Sequence, residues 1–259
     1  MLVWLVFTII PLAILISVAI KSPEEFAINP FGLPQAIAWE NFTTAWVDAN
    51  LGRGIFNSAL LTITSLISIV IFSAMAAYPI ARRAQWTPVF YFFLSGIMVP
   101  FQLAMLPLYR LMKTLNLINS YQGIIFIYTA VSLPMAIFLF AGFIKGINKE
   151  LEDAALVDGA GRFRMFWSII FPLLKPATST VIIINIISLW NDFFIVLLYL
   201  PKREMRTLQL AIFTFVGQYN SKLNLVTAGV ILSVLPMVIV FLLLQRQFVE
   251  GIAGGAVKG

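Results

Sequence analysis

The chain has 259 residues, 61% of them hydrophobic and 11% charged, with 17 lysines and arginines against 11 acids for a formal net charge of +6. Soluble domains average about 45–50% apolar and about 25% charged residues, so this composition points away from a water-soluble enzyme and from a disordered chain, and leaves an integral membrane protein. Cysteine and histidine are both absent, which removes disulfides, thiol nucleophiles, imidazole-bound metals and the Ser-His-Asp triad.

An apolar stretch of about 20 residues crosses a hydrocarbon layer of about 30 Å as a helix. Six stretches meet that length: Leu2–Ile20, Ile55–Ile80, Val89–Leu111, Ile124–Ile144, Ala177–Leu200 and Leu225–Leu244. The expected fold class is all-α integral membrane, a single transmembrane domain over 1–259. Leu2–Ile20 lacks a charged start and a small-x-small cleavage site, so it reads as a retained span; the missing basic start is what a trimmed N-terminus would give. The third stretch holds Pro100, Gln102 and Pro107 and is expected to be one kinked span. Between Leu200 and the sixth span, Leu208–Phe215 is apolar but too short to cross, which suits an interfacial or re-entrant piece.

Six spans place both termini on one side. Lysines and arginines number 9 on that side and 8 on the other, so the positive-inside rule leaves orientation nearly undecided, with the short Arg82-Arg83 turn leaning towards cytoplasmic termini. The basic residues are spread through loops, which suits cationic flanks facing anionic lipid headgroups and not a nucleic-acid partner.

The segment from 145 to 176, between spans four and five, carries the densest pattern. Glu150, Glu152 and Asp153 crowd the first turn of a predicted helix, where the macrodipole favours them. Leu151, Ala154 and Ala155 share a face, and the alanines there would let a second surface approach closely. Gly159 is placed to end the helix in a left-handed cap. A second helix follows, with Phe163, Phe166, Trp167 and Ile170 on one stripe and Arg162 and Arg164 off it, as in a helix lying in the membrane interface. The pattern fits a docking device, and equally an amphipathic connector with no partner.

Glu152-Asp153-Ala154-Ala155, Gly159 and Ile170-Phe171-Pro172 resemble the EAA loop of bacterial ABC importer permeases, whose pattern is Glu-Ala-Ala, three residues, Gly, about nine residues and Ile-x-Leu-Pro. This chain departs from it with Asp153 before the alanines and Phe171 for Leu. Trp190-Asn191-Asp192-Phe193 and the ending Phe248–Gly259 are similar to the maltose-type carbohydrate permeases, and the likeness runs from the second span onward. The resemblance implies six transmembrane helices with a cytoplasmic two-helix coupling loop at 145–176, a cytoplasmic tail at 245–259 and a bacterial inner-membrane location with both termini in the cytoplasm. It also implies that Glu152, Asp153, Ala154, Ala155 and Gly159 dock on a separate ATPase.

No Gly-x-x-x-x-Gly-Lys-Ser/Thr stretch occurs, so no phosphate-cradling loop is expected in this chain. The resemblance assigns ATP and Mg to two partner ATP-binding cassette subunits, with no cofactor held here and no catalysis by this chain. Its further implied partners are a second homologous permease, an extracytoplasmic solute-binding protein and a carbohydrate. For the translocation path the candidates are Asn185, Trp190, Asn191, Asp192, Gln102 and Tyr128. An ionisable group such as Asp192, about 22 Å along span five, is costly in lipid and a default functional candidate. Amides can serve sugar hydroxyls, and Trp190 or Tyr128 could stack on a ring. The same residues also serve as interhelical glue. The rival function is an ion-gradient secondary transporter, for which Asp192 is the one clear intramembrane charge. An intramembrane enzyme would need a catalytic pair that the sequence does not offer.

Overall fold

A computed structural model describes residues 2–216 and 222–256, and every regular element among them is helical. The long elements are α1 Leu2–Ala19, α4 Leu51–Arg82, α5 Thr87–Met98, α6 Phe101–Thr114, α7 Tyr121–Lys145, α11 Lys175–Trp190 and α14 Leu223–Ala256. Shorter ones are α2 Pro23–Ile28, α3 Glu40–Asp48, α8 Glu150–Val157, α9 Arg162–Arg164, α10 Phe171–Leu173, α12 Phe194–Tyr199 and α13 Leu208–Ile212. Among the described residues, three helices are long and apolar enough to cross a bilayer by themselves, and two further pairs qualify if each bent pair is one crossing. The chain divides into two compact units, Met1–Ala59 with Pro201–Leu243 and Leu60–Leu200 with Leu244–Gly259.

Two expectations about the spans are corrected. The third is not one kinked rod: α5 and α6 meet at 104°. Val99 is extended because the ring of Pro100 excludes the helical region from the residue before it, and Pro100 then opens α6 with its fixed φ. The fifth does not run unbroken to Leu200: α11 stops at Trp190 and α12 restarts at Phe194. The segment expected as a tail from 245 continues α14 as helix to Ala256; 257–259 lie outside the described residues.

The first unit is held by polar side chains at the ends of its helices. Lys21 is fully buried, and its ammonium donates to the carbonyls of Asn29 at 2.9 Å, Pro30 at 3.3 Å and Gly32 at 2.6 Å. Asn41 donates to the carbonyls of Ala19 at 2.9 Å and Lys21 at 2.8 Å, which α1 leaves unpaired at its end. Asn224, at the start of α14, donates to the Asn41 oxygen at 2.9 Å. Across the same unit, Asn57 donates to the carbonyls of Glu204 at 3.0 Å and Arg206 at 2.9 Å, and the Ser58 hydroxyl accepts from the Leu208 amide at 2.9 Å. Gly54 allows this approach: a Cβ there would lie 3.1 Å from Leu208 Cα.

The second unit is built on α7, which α5, α11 and α12 all contact. Its buried line includes Ile124, Ile127, Ile137, Phe140 and Ile144. The Ser120 hydroxyl starts α7 by accepting from the Gly123 amide at 3.0 Å.

Lys21→Met should lower the stability of the purified protein by about 1–3 kcal/mol, because the part-buried carbonyls of Asn29 and Pro30 lose their side-chain donor and that of Gly32 keeps only the Ser17 hydroxyl. Thermal unfolding in detergent reads this, and Lys21→Met unfolding with the wild-type midpoint would show the network to be dispensable.

Candidate functional site

The conspicuous polar cluster of the second unit lies where α8 meets the end of α4. Asn148 begins the turn by accepting the Glu150 amide at 3.1 Å, and the acids of the first turn then complement the helix dipole. At the other end Gly159 takes φ of +79°. The Gly159 amide reaches the Leu156 carbonyl at 3.0 Å and the Ala160 amide reaches Ala155 at 2.9 Å, the paired bonds of a Schellman termination. The left-handed cap expected from sequence is therefore present.

Glu152 turns inward, towards the end of α4. One carboxylate oxygen accepts from the Tyr78 hydroxyl at 2.7 Å and the other from Arg82 Nε at 2.6 Å. Arg82 also donates to the Ile147 carbonyl at 3.0 Å. The side chains of this ion pair are only 9% and 14% exposed, so solvent screens it weakly. Bonds of this kind are charge-assisted and directional, and they fix α8 to the last turns of α4.

The shared face expected for Leu151, Ala154 and Ala155 is also corrected. Ala155 is 7% exposed and packs inside its own unit, while Leu151 is 48% exposed and Ala154 is exposed too. Glu152 and Ala155 together form the inward line of α8. Asp153, Leu156 and Val157 point outward, with Val157 87% exposed. Gly159 is exposed, with nothing near where a Cβ would lie.

The aromatic stripe after α9 does not lie as a free amphipathic surface. Met165–Ile170 forms a π-helical turn, which widens the spacing and breaks the 3.6-residue register. Phe166 is buried against Tyr78, with ring centroids 5.8 Å apart, and Ile170 is fully buried. Phe163 alone of the four is strongly exposed, at 76%. Beside α8 this leaves an open groove of about 800 Å³, with Phe163, Phe166 and Trp167 on one wall and Arg83, Lys149 and Arg162 among its charged groups.

The path candidates fall into two sets. Asp192 sits half-buried in the break between α11 and α12. Its Oδ2 accepts from the Tyr128 hydroxyl at 2.9 Å and from the Val196 amide at 3.3 Å, joining α7 to the start of α12. Trp190, Asn185 and Tyr128 are buried at 7%, 8% and 2% exposure, so neither ring expected to stack on a sugar offers an open face in this conformation. The Asn185 amide bonds the Val181 carbonyl at 2.8 Å, and Asn191, which is exposed, bonds Ile187 at 3.0 Å, each one turn back along α11. Gln102 is exposed on α6. The structure thus unites Tyr128 with Asp192 and does not bring Gln102 into that cluster.

Sequence reasoning missed Tyr78 and Arg82. A signal existed: a basic pair, Arg82-Arg83, closes α4, and an acidic cluster opens α8, both placed on one side by the span count. Nothing local specified which acid would meet which base.

Residues 69–254 match the family model described as the binding-protein-dependent transport system inner membrane component. The chain is 38% identical over 253 residues to the melibiose/raffinose/stachyose import permease protein MelC of Bacillus subtilis, covering 96% of this chain and 91% of that one. It is 36% identical over 250 residues to a probable starch degradation products transport system permease protein, AmyC, of Thermoanaerobacterium thermosulfurigenes, with coverages of 96% and 91%. A solved bacterial ABC transporter involved in import of the acidic polysaccharide alginate shares the fold at a TM-score of 0.81, with 24% identity and coverage of 94% and 92%.

Glu152→Gln should loosen the loop without unfolding the chain, costing about 1–3 kcal/mol locally because a buried charge-assisted contact is lost. Hydrogen exchange over 147–160 should rise, with Tyr78→Phe giving a smaller rise at the same amides. Gly159→Val should cost about 1–2 kcal/mol through its left-handed backbone and Gly159→Asn much less. Equal proteolytic sensitivity of the Val and Asn variants at this turn would contradict the assignment.

Proposed function

This chain belongs to the inner membrane components of binding-protein-dependent transport systems and, with its sugar-importing relatives, to the carbohydrate permeases of ABC importers; from that premise we propose how it works. It forms one half of a pathway that moves an oligosaccharide or smaller sugar across the bacterial cytoplasmic membrane. One relative named above is a melibiose/raffinose/stachyose import permease and the other a probable permease for starch degradation products. The working assembly holds a second, homologous permease, two ATP-binding cassette subunits that bind ATP with Mg, and an extracytoplasmic solute-binding protein.

In this reading the chain crosses the membrane six times, both termini face the cytoplasm, and α8 with the turn at Gly159 is the coupling loop. The observation that carries the reading is the double hold on Glu152 by Tyr78 and Arg82. A helix that is to transmit force must be fixed to the span it moves and free on its other side. Glu152 and Ala155 supply the fixture, while Leu151, Asp153, Ala154 and Val157 supply the surface that a partner can seat on. Gly159 sets the direction in which the chain leaves. ATP then biases two states of the assembly through differential binding at this surface.

The break between α11 and α12 is the second moving part of the proposal. Its Asp192 contact fixes α12 to α7, and a rearrangement there would open the buried faces of Trp190 and Tyr128 to cargo. Asn185, Asn191 and Gln102 are assigned to the same route as part of this proposal.

Reconstitution of the full assembly in proteoliposomes tests the function. Uptake of labelled oligosaccharides should require internal ATP and the binding protein and should survive collapse of ion gradients; uptake driven by an ion gradient without the ATPase would overturn it. Val157→Arg should leave the complex assembled and lower transport per complex by at least about tenfold, since a long charged side chain blocks a close docking contact. Ala155→Arg should instead destabilise the loop, because that side chain points inward. Asp192→Asn should alter uptake or resting ATPase activity at normal assembly; a loss of assembly with unchanged transport per complex would make Asp192 glue, with a contribution of about 0.6–2 kcal/mol.

A further inference from the structure

The groove beside α8 carries charge and apolar surface that ATPase docking does not use. It lies between the last turns of α4, one edge of α8 and the wall formed by Phe163, Phe166 and Trp167. Along α4 its lining reaches from Arg82 back to Met75, about 10 Å at the helical rise. One end therefore belongs to the polar end of a span and the other to its apolar length. Leu151, Ala154 and Val157, part of the surface assigned to the ATPase, do not line it.

Its charges fall into a matched pair and a surplus. Arg82 and Glu152 meet at 2.6 Å. Arg83, Lys149 and Arg162 are exposed and take part in no ion pair among the described residues, and against them the lining offers one further acid, Asp153. All three cations stand outside the long span: Arg83 follows α4, Lys149 precedes α8 and Arg162 opens α9. The Trp167 indole N–H is buried without a hydrogen-bond partner among the described residues, so a turn of that ring towards the groove loses no bond and gains one where an oxygen is present. Lysine and arginine at a cytoplasmic membrane surface attract anionic headgroups, and tryptophan suits a boundary with one apolar and one wet side.

We propose that this groove seats one anionic phospholipid of the cytoplasmic leaflet, with its phosphate among Arg83, Lys149 and Arg162 and an acyl chain along Met75, Met165 and the aromatic wall. Two features favour a lipid over a soluble anion. A soluble anion uses the cations but gains nothing from the apolar lining along α4, whereas a lipid uses both. The volume of about 800 Å³ lies within the range of about 300–1,000 Å³ usual for small-molecule sites, far more than a phosphate fills. A lipid held there bridges α4, α8 and α9, beside the Glu152 contact. The proposal rests on the functional reading for placing the end of α4 at the cytoplasmic membrane surface.

The test uses the whole assembly in nanodiscs of phosphatidylcholine mixed with phosphatidylglycerol, with Phe163 replaced by photoactivatable benzoylphenylalanine. Mass spectrometry reads what the substituted side chain captures. Phosphatidylglycerol adducts should exceed phosphatidylcholine adducts at least about tenfold relative to their ratio in the bilayer. Arg83→Gln combined with Arg162→Gln should cut that preference at least about fivefold and leave phosphatidylcholine capture unchanged. If the double variant fails to assemble, Lys149→Gln takes its place, and the comparison of the two lipids needs neither. Capture of both lipids in proportion to the bilayer overturns the proposal, and so does capture of the ATPase chain. Inorganic phosphate that abolishes the preference where chloride at equal ionic strength does not makes this a site for a soluble anion and overturns it too. Capture is read without transport, which keeps the two failures apart. A phosphatidylglycerol preference in an assembly with no ATP-dependent uptake sinks the functional reading alone, and no preference in a transporting assembly sinks the lipid site alone.

Discussion

Wherever a helix ends or breaks in this chain, carbonyls and amides lose their intrahelical partners, and lipid offers no water to replace them. The structure meets that demand with side chains reaching across to backbone. Asn41 closes the end of α1 and Lys21 serves the loop that follows it. Asn57 serves the carbonyls of Glu204 and Arg206, Arg82 that of Ile147, and Asp192 the Val196 amide. The residues that look costly in a membrane protein are in large part those that make its helix ends tolerable.

This constraint also decides where function can be placed. A polar residue that closes a helix end couples two elements, so it is stiff in one arrangement and informative when it changes. Glu152 ties the loop helix to α4, and the Tyr128–Asp192 contact ties the broken fifth crossing to α7. Both lie at interruptions. The uninterrupted stretches between them are packed by small and branched residues, such as Ala136, Ala141, Ile137 and Ile144, that carry no such signal.

The loop helix shows how a sequence pattern leaves open which way each of its residues faces. Its acids, its alanines and its glycine stand where docking chemistry would want them. Yet the glutamate and the second alanine turn inward, and the outward surface passes to Leu151, Ala154, Leu156 and Val157. A helix of 8 residues has a phase that short-range periodicity cannot set. The phase came from the partner groups Tyr78 and Arg82, about 70 residues earlier in the chain.

Composition and hydropathy by themselves determined that the chain is helical and membrane-embedded, because hydrocarbon leaves a backbone so few ways to satisfy itself. Local sequence also set the left-handed cap at Gly159 and the positions of long helices α4, α7 and α14, since turn chemistry and apolar length act over a few residues. Tertiary structure decided the rest. The π-helical turn at Met165–Ile170 and the stop at Trp190 are settled by what each freed backbone group finds nearby. So are the inward turn of Glu152 and the burial of Tyr128 and Trp190. These depend on side chains distant in sequence, and hydrogen-bond energy is realised only when both partners arrive at about 3 Å.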